Sequence, residues 1–305
     1  MFLYEHPDFE DLLAQTARAI GIPFSFVEKD YWVTYVLFRL CVEGVDDFVF
    51  KGGTSLTKAW GLLDRFSEDI DLLFTPHTKS KDQKRTRLKK INAVVSGFRG
   101  LTFAPDLSES HGHYRADCFR YHRFEGQQLG PLLPHIKLEM GYRGGEQPNE
   151  LRPIQSYLGK QLVEAGAGDL AEDVLPFEVP VLDIRRTFVE KLFAIHSAFT
   201  NGEVKKYFRH YYDVYKLLGI DTVHEFVGKP EFEELKTHVA EMCREFPNTR
   251  IPAGLDFSRS MAFKSEPALI KTLAEALKEQ RGLFFTEPPT ADEIMQRISA
   301  RIFAS

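Results

Sequence analysis

Asp69 and Asp71 stand one residue apart in the run Glu68-Asp69-Ile70-Asp71-Leu72. In an extended strand, residues i and i+2 project from the same side. The two carboxylates therefore share a face while Ile70 and Leu72 turn toward a core. Carboxylates held side by side repel each other unless a cation sits between them. Oxygen-only ligation of this kind suits Mg²⁺, which keeps several waters and completes its shell with substrate phosphates. Upstream, an apolar run from Val45 to Phe50 reads as a buried strand and delivers the chain into Lys51-Gly52-Gly53-Thr54-Ser55. Glycines let backbone N–H groups approach a phosphate closely. Alone, a Gly-Gly is commonly a turn and an Asp-x-Asp a solvated strand end. Their order, with a helix-like stretch from Leu56 to Leu63 between them, carries the reading: a site for a metal-bound nucleoside triphosphate. Neither a Walker-type Gly-x-x-x-x-Gly-Lys-Ser/Thr nor a Gly-x-Gly-x-x-Gly opening a helix after a strand is present.

The elements around these residues follow from periodicity. Phe9 to Ile20 reads as a helix stopped by Gly21-Ile22-Pro23. Ser25 and Glu28 have the spacing of a capping box for a second helix, running through Glu28-Lys29-Asp30-Tyr31-Trp32 to about Val42. After the Asp-x-Asp strand, basic residues at Lys79, Lys81, Lys84, Arg85, Arg87, Lys89 and Lys90 lead into Ile91, Val94, Val95 and Phe98. That pattern predicts a helix with a basic exposed face, read either as ordinary solvated surface or as a polynucleotide contact through Lys84, Arg85 and Arg87. Strands are expected over Tyr114 to His122 and His135 to Met140. Alternation in the second buries Ile136, Leu138 and Met140 and turns Lys137 and Glu139 to the opposite face. Gly141 to Gly145, Pro148 and Pro153 punctuate the chain, and a looser region with Gly159, Gly166 and Gly168 extends toward Pro176.

From Thr187 onward the pattern is helical, over Thr187 to Thr200, Val204 to Leu218, Glu231 to Phe246, Pro267 to Gln280 and Ala291 to Phe303. The expected organisation is α+β, with a mixed-sheet domain over 1–165 and a mainly helical domain over 166–305. In the first of the later helices Lys191 shares an apolar face with Phe188, Ile195 and Ala198. A lysine there either snorkels to water or faces a cleft holding anions. In the next, Arg209 and Asp213 have the i,i+4 spacing of a surface ion pair.

Composition sets bounds. A 43% hydrophobic content with 26 Phe supports an aromatic-rich core in a 305-residue chain. The net charge of −5 gives no global electrostatic case for nucleic acid, so a polynucleotide would meet a local basic patch. Cys41, Cys118 and Cys243 are scattered without metal-like spacing, as suits reduced thiols. Met1 to Glu10 carries acids and a His rather than a basic segment with an apolar run, and no apolar stretch reaches the roughly 18 residues of a membrane span. The expectation is a cytoplasmic protein with no membrane partner.

A glycine pair after a strand, then a helix, then Asp-x-Asp on the next strand resembles the DNA polymerase β-like nucleotidyltransferase superfamily. The fuller wording Lys-Gly-Gly-Thr-Ser-Leu with Arg-Phe-Ser-Glu-Asp-Ile-Asp-Leu is similar to the AbiEii/AbiGii toxin family, which includes the MenT-type toxins. The gap from Gly53 to Asp69 is slightly longer than the general superfamily pattern. Further matches are the Glu-Lys-Asp-Tyr-Trp helix, Arg-Thr-Phe-x-Glu-Lys-Leu from Arg186, and Arg-His-Tyr-Tyr-Asp from Arg209. Specific motifs cover about 22–74 and 135–218.

The resemblance implies a polymerase-β-like fold and an enzyme moving a nucleotide from a nucleoside triphosphate, with Mg²⁺ held by Asp69 and Asp71. It places Lys51, Gly52, Gly53, Thr54, Ser55, Arg65 and Ser67 around the nucleotide, Ser67 as a rim hydroxyl that is phosphorylated in some systems. It makes Glu139 a candidate third acid with Lys137 as phosphate or carboxylate partner, a reading that stands beside an ordinary Lys/Glu surface pair. Lys191 would contact the triphosphate and Asp213 would complete the active site; the general base is left between Asp213 and Glu139. His196 and His210 read as packing or surface residues. The implied acceptor is RNA, a tRNA 3′ end, with arrested translation as the outcome, in a toxin–antitoxin or phage-defence pair with a cognate antitoxin. The alternatives are transfer to a protein or small molecule, as in aminoglycoside-modifying enzymes, and a non-catalytic triphosphate-binding regulator.

Overall fold

The computed structural model describes residues 1–75, 80–112, 114–124, 127–244 and 254–302. The chain divides into two compact units. One comprises Met1–Gly61, Phe66–Tyr142 and Asn149–Val181; the other comprises Leu62–Arg65, Arg143–Pro148 and Leu182–Ser305. The passage into the second unit thus comes at Leu182, whereas the sequence pattern places it after residue 165.

In the first unit, α1 (Phe9–Ile20) ends as expected at Gly21, whose φ of 71° is the left-handed cap only glycine adopts freely. The second helix, α2 (Phe24–Val42), has Pro23 at its N-cap and no side-chain cap. Ser25 and Glu28 are buried within it, so the expected capping box does not form. Strand β1 (Phe48–Lys51) passes directly into α3 (Gly52–Lys58), so this helix starts at the glycine pair and stops at Lys58, not Leu63. Two glycines in a first turn are poor helix formers; here the Ser55 and Thr57 hydroxyls brace it by donating to Gly52 O and Gly53 O.

Next come β2 (Asp69–Phe74) and α4 (Lys81–Ser96), the latter opened by a Ser80/Gln83 capping box. Its expected start at Lys79 lies outside the described residues. The strands β3 (Leu101–Phe103), β4 (Glu109–His111), β5 (Tyr114–Tyr121) and β6 (Ile136–Gly141) follow. Beyond them β7 (Asn149–Ile154), α5 (Tyr157–Glu164) and β8 (Phe177–Leu182) occupy the region that reads as loose in sequence. Pro153 and Pro180 read as strand breakers in the two strands.

The strands form one mixed sheet in the order β3-β5-β6-β2-β1-β8-β7, with β4 also paired to β5. One sheet face, including Ile70, Leu72, Ile136, Leu138 and Met140, joins α1, α2, α4 and α5 in a single apolar cluster. Each such aliphatic side chain contributes about 1.5–3 kcal/mol by its burial. The opposite face carries Asp69 and Asp71 together with the buried Val49 and Leu73.

The second unit is mainly helical, with α6 (Ile184–Thr200), α7 (Phe208–Leu217), α8 (Asp221–Phe226), α9 (Pro230–Arg244), α10 (Pro267–Gln280) and α11 (Ala291–Ile302). The expected ends at Phe246 and Phe303 lie outside the described residues. A mixed sheet flanked by helices, followed by helices, is the expected α+β arrangement. No helix among the described residues is long and apolar enough to cross a membrane.

Candidate active site

Asp69 and Asp71 lie half-buried on the sheet face turned away from the apolar cluster, while Ile70 and Leu72 behind them are buried. On one side, antiparallel β1 sets Lys51 opposite Asp71. On the other, parallel β6 sets Lys137 opposite Asp69 and Glu139 opposite Asp71. Residues paired across strands project from one face, so two acids, two lysines and a third acid are gathered by register alone. Gly52, in the left-handed region at φ 79°, brings its backbone against this group. A Cβ built there would lie 2.0 Å from Asp71 Oδ2.

This donor set fits a hard divalent cation. Among the described residues no group of three or more His, Cys, Asp or Glu side chains is arranged to hold a metal. Two carboxylates offer oxygen ligands alone, the kind that hard divalent cations take.

The hydroxyls of the glycine turn have other duties. Thr54 and Ser55 are fully buried. Thr54 Oγ1 donates to Asp69 O at 2.5 Å and lies 2.9 Å from Ser67 Oγ, tying α3 to the start of β2. Ser55 Oγ donates to Gly52 O at 2.9 Å. Both hydroxyls are thus engaged in shaping the turn. Ser67 is half-buried beside Thr54.

Lys137 and Glu139 form an ion pair on β6, and the Tyr114 hydroxyl of β5 also hydrogen-bonds Glu139. Burial works against the Lys137 ammonium, yet Glu139, Asp69 and Asp71 outweigh it and hold its pKa above the ordinary lysine value. Burial first, then the Glu139 carboxylate, raises the Tyr114 phenol well above its usual range. Sequence reasoning passes over Tyr114. Only its strand pairing, which sets it opposite Gly141 on β6, brings it to this face.

Arg65, Lys191 and Asp213 form a charge cluster within the second unit. Asp213 is fully buried; it accepts from Arg65 Nε at 2.9 Å and Nη2 at 2.7 Å, and lies 2.8 Å from Lys191 Nζ. Burial pushes the Asp213 carboxyl up, but the guanidinium and the ammonium prevail and hold it well below the usual carboxylate range. Lys191 Nζ is also 3.2 Å from His210 Nδ1, which must accept because the ammonium can only donate. Burial and the Lys191 charge push His210 well below the ordinary histidine value. Asp213 is thus the buried partner of Arg65 and Lys191, not the surface partner of Arg209.

On α4, Arg87 is bidentate to Asp47 at 2.9 and 2.5 Å, and the Lys84 ammonium sits 5.2 Å from the centre of the Tyr142 ring. Both are therefore partly committed to the fold. Lys81, Arg85, Lys89 and Lys90 are the exposed cations of this helix, Arg85 within 3.5 Å of Asp82.

A family model described as nucleotidyl transferase AbiEii toxin, type IV TA system, matches residues 35–297. The chain belongs to the AbiEii nucleotidyltransferase toxin family. It is thus a nucleotidyltransferase toxin of a type IV toxin–antitoxin system, with a nucleoside triphosphate as substrate and an antitoxin as partner. Among solved structures the chain is similar to MenT4, a nucleotidyltransferase toxin from Mycobacterium tuberculosis H37Rv. The TM-score is 0.62 at 19% identity, over 96% of this chain and 88% of that one. At that identity the likeness speaks for the fold, and it agrees with the expected one. No curated protein matches the sequence.

Proposed function

We propose that this AbiEii toxin acts in the cytoplasm, transferring a nucleotide from a nucleoside triphosphate to an RNA hydroxyl, the 3′ end of tRNA, and so blocks translation. The observation that carries the reading is the register of β1, β2 and β6, which sets Asp69, Asp71, Lys51, Lys137 and Glu139 on one sheet face beside the Gly52 backbone. Asp69 and Asp71 would hold Mg²⁺, which when bound neutralises charge on the triphosphate. Lys51 and Lys137 attract phosphate oxygens to this face, and Gly52 keeps its floor clear. Of the two bases the sequence leaves open, Asp213 and Glu139, we take Glu139, whose strand register sets it opposite Asp71. Oriented by Lys137 and Tyr114, it takes the proton of the acceptor hydroxyl as that oxygen bonds to the α-phosphorus and pyrophosphate leaves. Ser67 is retained as the rim hydroxyl. Arg65, Lys191 and Asp213 enter as framework of the second unit. Positioning and electrostatics supply most of the acceleration in phosphoryl-transfer chemistry of this kind.

Purified protein with Mg²⁺, labelled triphosphates and bulk tRNA is expected to give tRNA extended at its 3′ end. Asp69→Asn with Asp71→Asn should abolish both the extension and the Mg²⁺-dependent part of triphosphate binding. Undiminished labelling by that double variant would overturn the reading. Label on a protein or small molecule instead of RNA would move the acceptor, and binding with no turnover would make the chain a regulator.

A further inference from the structure

The Glu-Lys-Asp-Tyr-Trp stretch of α2 lies before the region matched by the family model and has no part in the chemistry above. Its second and third residues nevertheless bond to both halves of the site. Lys29, with no exposed surface, donates to Leu133 O at 2.9 Å and to His135 O, and lies 3.1 Å from Glu68 Oε2. Glu68 in turn accepts the Leu133 N–H at 3.0 Å. Glu68 directly precedes Asp69, and Leu133 and His135 lead into β6. One ammonium therefore ties together the starts of the two parallel strands that carry Asp69, Asp71, Lys137 and Glu139.

Asp30 is the next residue, turned about 100° around the helix axis. Its Oδ1 pairs with Lys58 Nζ at 2.5 Å, at the end of the helix that starts at Gly52; its Oδ2 accepts the Tyr157 N–H at 2.8 Å. Both side chains of the Asp30–Lys58 pair are 4% exposed. Buried pairs of this kind seldom add net stability over apolar side chains of like volume, but they do specify which partners meet. In a helix whose buried residues are mostly aromatic and aliphatic, two opposite charges side by side are a costly way to gain stability and an effective way to fix geometry.

We infer that Lys29 and Asp30 are positioning residues that set the carboxylate strand β2 and the glycine-turn helix α3 in fixed relation to each other, an inference that rests on the proposed reading of that site. Slippage of β2 against β6 would turn their charged side chains from the site face to the core. Even a shift of about 1 Å in a reacting group costs on the order of 10²-fold in rate.

The test pairs Asp30→Asn with Lys58→Met, which removes both charges together and keeps an acceptor for the Tyr157 N–H. The expected result is an unfolding midpoint close to the wild type with kcat for nucleotide transfer lowered on the order of 10²-fold. Lys58→Arg in the otherwise wild-type protein, which keeps the charge opposite Asp30, should lose less kcat than the double variant. Wild-type kcat in the double variant, or a loss that merely tracks the folded fraction, overturns the inference. Should the double variant fail to fold, Lys29→Arg decides: it keeps charge and donors but changes the head group, so kcat should fall about tenfold or more in a folded protein, and an unchanged kcat overturns the inference. Binding of labelled ATP, GTP, CTP and UTP to the wild type separates the two levels. A wild type that binds none of them removes the site reading and the inference with it; normal transfer by wild type and variants alike removes the inference alone.

Discussion

Gly52, at the start of α3, and Asp71 of β2 meet so closely that a Cβ on residue 52 would fall 2.0 Å from Oδ2 and 2.8 Å from the carboxyl carbon. The left-handed φ of 79° adds a second constraint, which costs an L-residue about 1–2 kcal/mol. Gly52→Ala therefore acts twice. Stability should fall by about 1–2 kcal/mol, read from the urea midpoint. Transfer should fall on the order of 10²-fold, because Asp71 has to move. A variant with the stability loss alone would show that the position of Asp71 is not critical.

Asp213 predicts a different signature. Replacing it by Asn leaves Arg65 and Lys191 buried without their counter-charge, and breaking such a pair costs about 3–5 kcal/mol. The pH dependence follows from the depressed folded pKa. The carboxylate's contribution is full above the ordinary value of 3.8 and is lost as pH falls toward the lower folded value. Urea midpoints of wild type and Asp213→Asn should be well separated at pH 7 and converge in acid below about pH 4. A separation that persists unchanged into strong acid would remove the charge cluster as the cause.

The legible and illegible parts of this molecule divide along one line. Asp69 and Asp71 are readable because strand period and burial alternate within a few residues, and the same holds for Lys137 and Glu139. The strand β8 is not, because Pro180 reads as a strand breaker although Val179 and Val181 keep the alternation around it. Arg65 and Asp213 are each visible as motif residues, yet nothing local in the sequence tells that they bond to each other 148 positions apart. Thr54 is visible as part of the glycine motif, but its hydroxyl bond to Asp69 O is a tertiary fact. Local spacing thus defines the site face, and long-range pairing decides which polar groups remain available on it.

The basic face of α4 is narrower than its composition implies, since Arg87 serves Asp47. Reversing the exposed Arg85, Lys89 and Lys90 to Glu should weaken RNA binding and lower the slope of log affinity against log salt by roughly one for each phosphate no longer neutralised. Triphosphate binding should be unaffected. Arg87→Glu should instead destabilise the fold by bringing two acids together, seen as a lower unfolding midpoint. Equal loss of RNA and triphosphate binding in the triple variant would mean that α4 supports the fold and does not meet RNA.

Glu28 offers a test of pH-dependent stability away from the chemistry. It is 1% exposed in α2, and burial raises its carboxyl to about 7, against smaller opposing effects of the Phe124 N–H, Arg123 and Lys29 and a small reinforcing one from Glu10. A raised acid pKa means that the folded state prefers the proton. The stability this confers is complete below the unfolded value of 4.5, declines as pH rises toward 7, and is absent above it. Glu28→Gln keeps the neutral shape at every pH. It should therefore match the wild type near pH 4 and exceed it at pH 8 by on the order of 3 kcal/mol. Urea titrations across that range give the comparison, and a Glu28→Gln variant no more stable than wild type at pH 8 would show that the carboxylate is accommodated in its ionised form.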